Sequence, residues 1–90
     1  MAHTIHNQKK LLARVRRIRG QAEGLERSLE GQRDCLDILQ QITSMRGAIS
    51  GLMAEVIDGH VQEHIANIKD ERERTKGANE LMDILRSYLK

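Results

Sequence analysis

Residues 60 to 64, "HVQEH", put two imidazoles and a carboxylate within about one turn of any helix that carries them. The spacing H-x-x-E-H is that of the inverted zincins, in which two histidines hold zinc and the glutamate serves as base. A protease also needs a third protein ligand and a substrate cleft. No His or Cys follows His64, and 90 residues leave little material for a cleft. No nucleophile–base pair can be assembled elsewhere, so an enzyme is not expected. The same side chains remain good metal ligands, and the one thiol of the chain, Cys35, is the natural candidate to join them.

Helix geometry decides how they could meet. Each residue advances about 100° and about 1.5 Å, so His60 and His64 lie roughly 20° to either side of the face that carries Cys35. Along the axis Cys35 and His60 are roughly 37 Å apart, whereas a metal–ligand bond is about 2.0–2.3 Å long. One unbroken helix cannot bring them to one ion. An antiparallel second copy can, if the two-fold axis passes near residue 48 or 49. The local sequence there is "RGAISGLMA", whose Gly47, Ala48, Ser50, Gly51 and Ala54 would let two backbones approach. Such an interface carries two identical sites. A lone cysteine on an apolar stripe is ordinarily a small core residue, and paired histidines near a helix end are ordinarily solvated. Their common register about a glycine-rich midpoint is what favours metal.

The elements that must position these residues are helical. From Leu11 the apolar residues Leu11, Val15, Ile18, Ala22, Leu25 and Leu29 fall in a 4-3 heptad seam. This predicts a first helix over 9–30, stopped at Gly31, after an N-terminal arm of residues 1–8. Asp34 is a candidate N-cap for the next helix. The stripe Cys35, Leu39, Ile42, Arg46, Ile49, Met53, Val56, His60 predicts one long helix over 35–65. The charged segment "NIKDERERTKG" has no stripe and reads as frayed helix passing into a loop closed by Gly77. Leu81, Leu85 and Tyr88 then predict a short helix over 78–89, completing a single domain over 1–90.

Charge is distributed unevenly. The first 22 residues contain Lys9, Lys10, Arg14, Arg16, Arg17 and Arg19 and no acid, although the net charge of the whole is only +2. A basic helix without internal neutralisation is built for an anionic partner. Duplex DNA is the natural one, approached through phosphates, with Arg14 or Arg17 reaching base edges and Arg46 adding a cation from the second helix. No helix-turn-helix spacing is present, and with one aromatic, Tyr88, there is nothing to stack on single-stranded bases. A metal buffer that touches no DNA is the competing class, and the basic segment speaks against it. No apolar run approaches the roughly 20 residues that span a bilayer, the N-terminus has no secretory h-region, and a lone Cys fits a reducing compartment; a cytoplasmic protein without membrane contact is expected. A short chain with one aromatic makes a thin core, which suggests helices shared between subunits.

On "RVRRIRGQ", the Cys35 that opens the second helix, "LQQITSMRGAISGLMAEV", "HVQEH" and "LRSYLK", the chain resembles the small all-helical repressors of the CsoR/RcnR family. The resemblance implies an all-α three-helix protomer, an antiparallel four-helix-bundle dimer and a tetramer made of two dimers. It also implies a ligand-free protein that holds operator DNA and a ligand that releases it. The copper(I) branch resembles the chain at Cys35 and His60 but has a second Cys where His64 stands; imidazole there suits nickel or cobalt better. The nickel/cobalt branch resembles it at His3, Cys35, His60 and His64 together, with Glu63 as an auxiliary ligand. Six ligands suit Ni(II) and Co(II), whereas Zn(II) is satisfied with four. The formaldehyde branch, in which Cys35 would cross-link to the N-terminal amine, is the alternative. His6 has no assigned role.

Overall fold

The computed structural model describes residues 7–89. Three α-helices occur among them and no strand: α1 over Gln8–Glu30, α2 over Cys35–Val61 and α3 over Glu71–Tyr88, with a π-helical turn over Gln62–Ala66 between α2 and α3. None of these helices is long and apolar enough to cross a membrane. His3 and His6, expected on the arm, lie outside the described residues. The residues divide into two compact units, one spanning Gln8–Met53 and the other beginning at Ala54.

In the first unit α1 and the start of α2 form a hairpin. The stop of α1 differs in detail from expectation. Gly31 keeps a negative φ, and Gln32 takes the left-handed conformation at φ 54°. The Arg33 amide then donates to the Ser28 carbonyl at 2.9 Å and the Gln32 amide to that of Leu29 at 3.2 Å. That pair of bonds is a Schellman closure, which satisfies carbonyls the helix end would otherwise leave bare. Asp34 stands immediately before α2 and its carbonyl accepts the first helical bond, from Ile38 at 3.1 Å, the N-cap place expected for it.

The heptad stripes coincide only in part with the hairpin's own seam. On α1 the partly buried line is Leu11, Arg14, Ile18, Gln21, Leu25 and Ser28, while Val15 and Leu29 stay 46% and 58% exposed. On α2 it is Ile38, Gln41, Met45 and Ala48, while Leu39, Ile42 and Ile49 remain 53%, 46% and 45% exposed. The seam is fastened by polar pairs, Gln21 Nε2 to Ser44 Oγ at 3.1 Å and Gln41 Nε2 to Ser28 Oγ at 2.7 Å. The apolar stripes are therefore split, with Leu11, Ile18 and Leu25 on the hairpin seam and Val15, Leu29, Leu39, Ile42 and Ile49 turned outward, and no hydrophobic side chain among the described residues is buried. Exposed stripes of this kind mark a surface that another chain covers. The small residues of the presumed crossing point also divide: Ala48 and Gly51 are partly buried on the hairpin side, and Gly47 has open space around it.

In the second unit, residues 71–77, expected to be a loop, are the first two turns of α3. Asp70 caps them: its carboxylate accepts from the Glu73 amide at 3.1 Å, and Glu71 and Glu73 place negative charge in the first turn, where the helix dipole favours it. Arg74 donates to the Ile68 carbonyl at 3.3 Å and ties the linker down. Gly77 does not close a loop. It lies inside α3 and is buried.

Candidate metal centre and nucleic-acid interface

The helix expected to run to residue 65 changes character after Val61, where α2 passes into the π-turn that carries Glu63 and His64. Its closing bond runs from the Asn67 amide to the Gln62 carbonyl at 3.1 Å, one residue longer than an α-helical bond. Across this junction the His60 and His64 rings stand 4.8 Å apart between centroids, tilted by 38°. Two imidazoles at this separation are candidates for a shared ion.

His60 is held from behind. Its Nε2 lies 2.9 Å from the Gly77 carbonyl oxygen of α3. A carbonyl only accepts, so Nε2 carries a proton. That is the arrangement in which a ligating histidine is fixed in tautomer and orientation by a backbone carbonyl. The close approach of α3 requires glycine. A Cβ on Gly77 would strike the His64 carbonyl oxygen and come within 3.1 Å of the His64 Cβ. The Nε2 atom of His64 is buried, Glu63 is partly buried, and beside them a pocket of about 260 Å³ is lined by His64, Ile68, Glu73, Lys76, Gly77 and Glu80.

Cys35 opens α2 with an exposed thiol. Among the described residues no three His, Cys, Asp or Glu side chains of one chain converge closely enough to hold an ion. The donor set of thiol, two imidazoles and a neighbouring carboxylate fits a divalent transition metal in its chemistry, but one protomer does not gather it.

The basic residues also separate into groups. Lys10, Arg14 and Arg17 line one groove of the hairpin with Ala13, Gln21, Ser44 and Ala48, enclosing about 460 Å³. Lys9, Arg16 and Arg19 are exposed elsewhere on α1, and Arg19 makes only a 3.9 Å ion pair with Glu23, both ends open to solvent. Arg46 is exposed on α2, roughly 200° around the helix from Ser44, so it does not join the groove. Gln21, Ser44 and Gly77 were not singled out as functional residues from sequence. A signal existed for Gly77, because Asp70-x-x-Glu73 is a capping pattern that starts a helix before it.

Residues 7–87 match the family model described as metal-sensitive transcriptional repressor. Over 91 residues, and over the whole of each chain, the sequence is 55% identical to a protein of Serratia marcescens described as an uncharacterized protein in the bioA 5′ region. It is 43% identical over 90 residues, again over the whole of each, to the transcriptional repressor RcnR of Salmonella paratyphi B. A variant of the formaldehyde-responsive regulator FrmR from Salmonella enterica serovar Typhimurium matches in structure with a TM-score of 0.84 at 44% identity, covering 92% of this chain and 94% of that one. The copper-sensing repressor CsoR with Cu(I) from Geobacillus thermodenitrificans NG80-2 matches with a TM-score of 0.86 at 27% identity, covering 94% and 88%.

Proposed function

The chain belongs to the family of metal-sensitive transcriptional repressors, and we propose that it holds operator DNA when metal-free and releases it on capturing Ni(II) or Co(II), derepressing a metal-efflux gene. Its relatives are repressors and not enzymes. The observation that carries the metal reading is the pair His60 and His64, 4.8 Å apart, with His60 Nε2 committed to Gly77. A bound divalent ion supplies fixed positive charge and a demand for a set coordination geometry. His60 offers Nδ1 to it and His64 a second imidazole. Cys35 of another protomer offers the thiolate, because the exposed stripe of α2 is the face on which an antiparallel copy would lie. Glu63 serves as an auxiliary ligand, and the arm contributes His3 and the N-terminal amine, reaching the six ligands that nickel and cobalt accept. Zn(II), content with four, would leave the arm uncommitted and the response weak.

DNA is held through Lys9, Lys10, Arg14, Arg16, Arg17 and Arg19, with Arg46 as a further cation, and the homodimer pairs into a homotetramer that multiplies these contacts. Release follows from linkage: an effector that lowers operator affinity by some factor must itself bind the DNA complex less tightly by that factor. Cobalt absorption spectroscopy of the metal-loaded protein tests the centre. A thiolate charge-transfer band with weak six-coordinate transitions is expected; intense tetrahedral bands, or no thiolate band, contradict it.

A second reading is favoured by the exposed thiol of Cys35 together with the structural similarity to a formaldehyde-responsive regulator. The Cys35 thiolate would add to formaldehyde as an S-hydroxymethyl group, and condensation with the N-terminal amine would expel water and leave a methylene bridge. Intact mass after formaldehyde treatment, compared between wild type and Cys35→Ala, decides it, since the bridge adds one carbon without oxygen and requires the thiol.

A further inference from the structure

We propose that the α1–α2 hairpin carries a second anchor for the phosphate backbone of duplex DNA: a pocket at the helix turn whose cations are Arg27 and Arg33. The proposal rests on the DNA-binding reading above. It extends the contact surface beyond the basic first 22 residues, where every α1 cation assigned above to DNA lies.

The pocket encloses about 390 Å³ and is lined by Gly24, Arg27, Ser28, Arg33 and Gln41. Ser28 is its hub. The Ser28 carbonyl accepts from the Arg33 amide at 2.9 Å, so the closure of α1 through the left-handed Gln32 brings the second arginine back beside the first. The Ser28 hydroxyl oxygen accepts from Gln41 Nε2 at 2.7 Å, which fixes the α2 wall to the same residue. That hydroxyl keeps its own proton to donate. Both arginines are exposed, and neither forms an ion pair among the described residues, although Glu23, Glu26 and Glu30 share α1 with Arg27. Glu23 is paired instead with Arg19, at 3.9 Å. Two like charges lining one pocket repel, and an anion between them turns both interactions favourable. The planar guanidinium fork suits phosphodiester oxygens.

The neighbourhood favours a polyanion. On α1, Arg17, Gln21, Gly24 and Ser28 follow one another in 4-3-4 spacing, and Gln21 bonds to Ser44 as Ser28 does to Gln41. The pocket therefore continues, on the same side of the hairpin, the groove that Arg17 lines. Arg17 and Arg27 are ten residues apart, roughly 15 Å along the helix. Phosphates of one strand recur about every 3.4 Å of duplex axis, so the two ends of the groove serve different phosphates of one backbone.

The test titrates wild type, Arg27→Gln/Arg33→Gln, Arg17→Ala and the three substitutions combined against a fluorescent duplex carrying the promoter of the protein's own gene, at several salt concentrations. Lys69→Gln/Arg72→Gln, which removes the same charge from exposed positions outside the hairpin, is the control. Circular dichroism and sedimentation check folding and assembly; should the paired substitution fail either, Arg27→Gln alone carries the test. The pocket variant should bind about tenfold more weakly, the scale of one charge-assisted contact. Its slope of log affinity against log salt should shrink by about 0.9, one phosphate contact. The loss should add to that of Arg17→Ala, because sites this far apart act independently. A wild-type slope in the pocket variant, or an equal loss in the control, overturns the anchor. Inorganic phosphate replacing chloride at matched ionic strength should leave the difference between wild type and variant intact; its disappearance assigns the pocket to the free anion and overturns the DNA assignment. Failure of the unmutated protein to bind the duplex overturns the DNA-binding reading itself.

Discussion

The Gly77 carbonyl of α3 accepts a hydrogen bond from His60 Nε2 at 2.9 Å, so α3 fixes the orientation of the imidazole and places a proton on Nε2. In the metal-free protein, nitrogen-15 shifts of the His60 ring should show the Nε2-protonated tautomer. Gly77→Ala drives a methyl group into the His64 backbone. That should reduce stability by about 1–3 kcal/mol and, by freeing the His60 ring, weaken metal binding roughly 10- to 100-fold. Calorimetric metal titration beside a thermal melt checks both, and a normal tautomer with unchanged affinity in the variant would separate α3 from the site.

Nucleic-acid affinity should divide according to the groove. Arg14→Ala and Arg17→Ala are each expected to lower the salt slope of operator binding by about 0.9. Arg46→Ala, outside the groove on the far side of α2, should lower the slope by less. Titrations at several salt concentrations distinguish these outcomes.

The exposed stripe of α2 predicts what happens when it is made polar. Ile42→Asp or Ile49→Asp puts a charge where another chain is expected, and burying an unpaired charge is prohibitive. Sedimentation should then show a monomer, with loss of helical signal because no hydrophobic side chain among the described residues is buried within the protomer. A variant that assembles like wild type would remove the α2 face from the interface.

Two caps give smaller effects. Gln32→Gly should stabilise the protein by about 0.5–1 kcal/mol, because Gln32 holds a left-handed φ of 54°. Asp70→Ala should destabilise it by about 1 kcal/mol through loss of the bond from the Glu73 amide. Denaturant unfolding at matched protein concentration measures both.

Sequence periodicity revealed α1 nearly to the residue and the start of α2, but ran α2 to residue 65 where it passes into the π-turn after Val61; it set Cys35, His60 and His64 on one face. It could not say whose helix that face would meet. A 4-3 stripe looks the same whether it packs on its own chain or another, and here the internal seam alternates Leu11, Ile18 and Leu25 of the stripe with the polar Arg14, Gln21 and Ser28. The first turns of α3 escaped notice because "ERERTK" has no apolar stripe; their helicity comes from the Asp70 cap and the early acids. Gly77 read as a stop because its role depends on His60 and His64, distant in sequence, which no local pattern reports. Gln32 was passed over for the same kind of reason, since Gly31 beside it is the stronger stop signal.

Whether ligands come from two chains can be asked directly by mixing subunits. Cys35→Ala protein and His60→Ala/His64→Ala protein, each expected to lack the cobalt–thiolate charge-transfer band, are unfolded together and refolded. A shared site is rebuilt at one end of every mixed dimer, so the band should return at about a quarter of its wild-type intensity. A mixture as silent as either parent would contradict the shared centre.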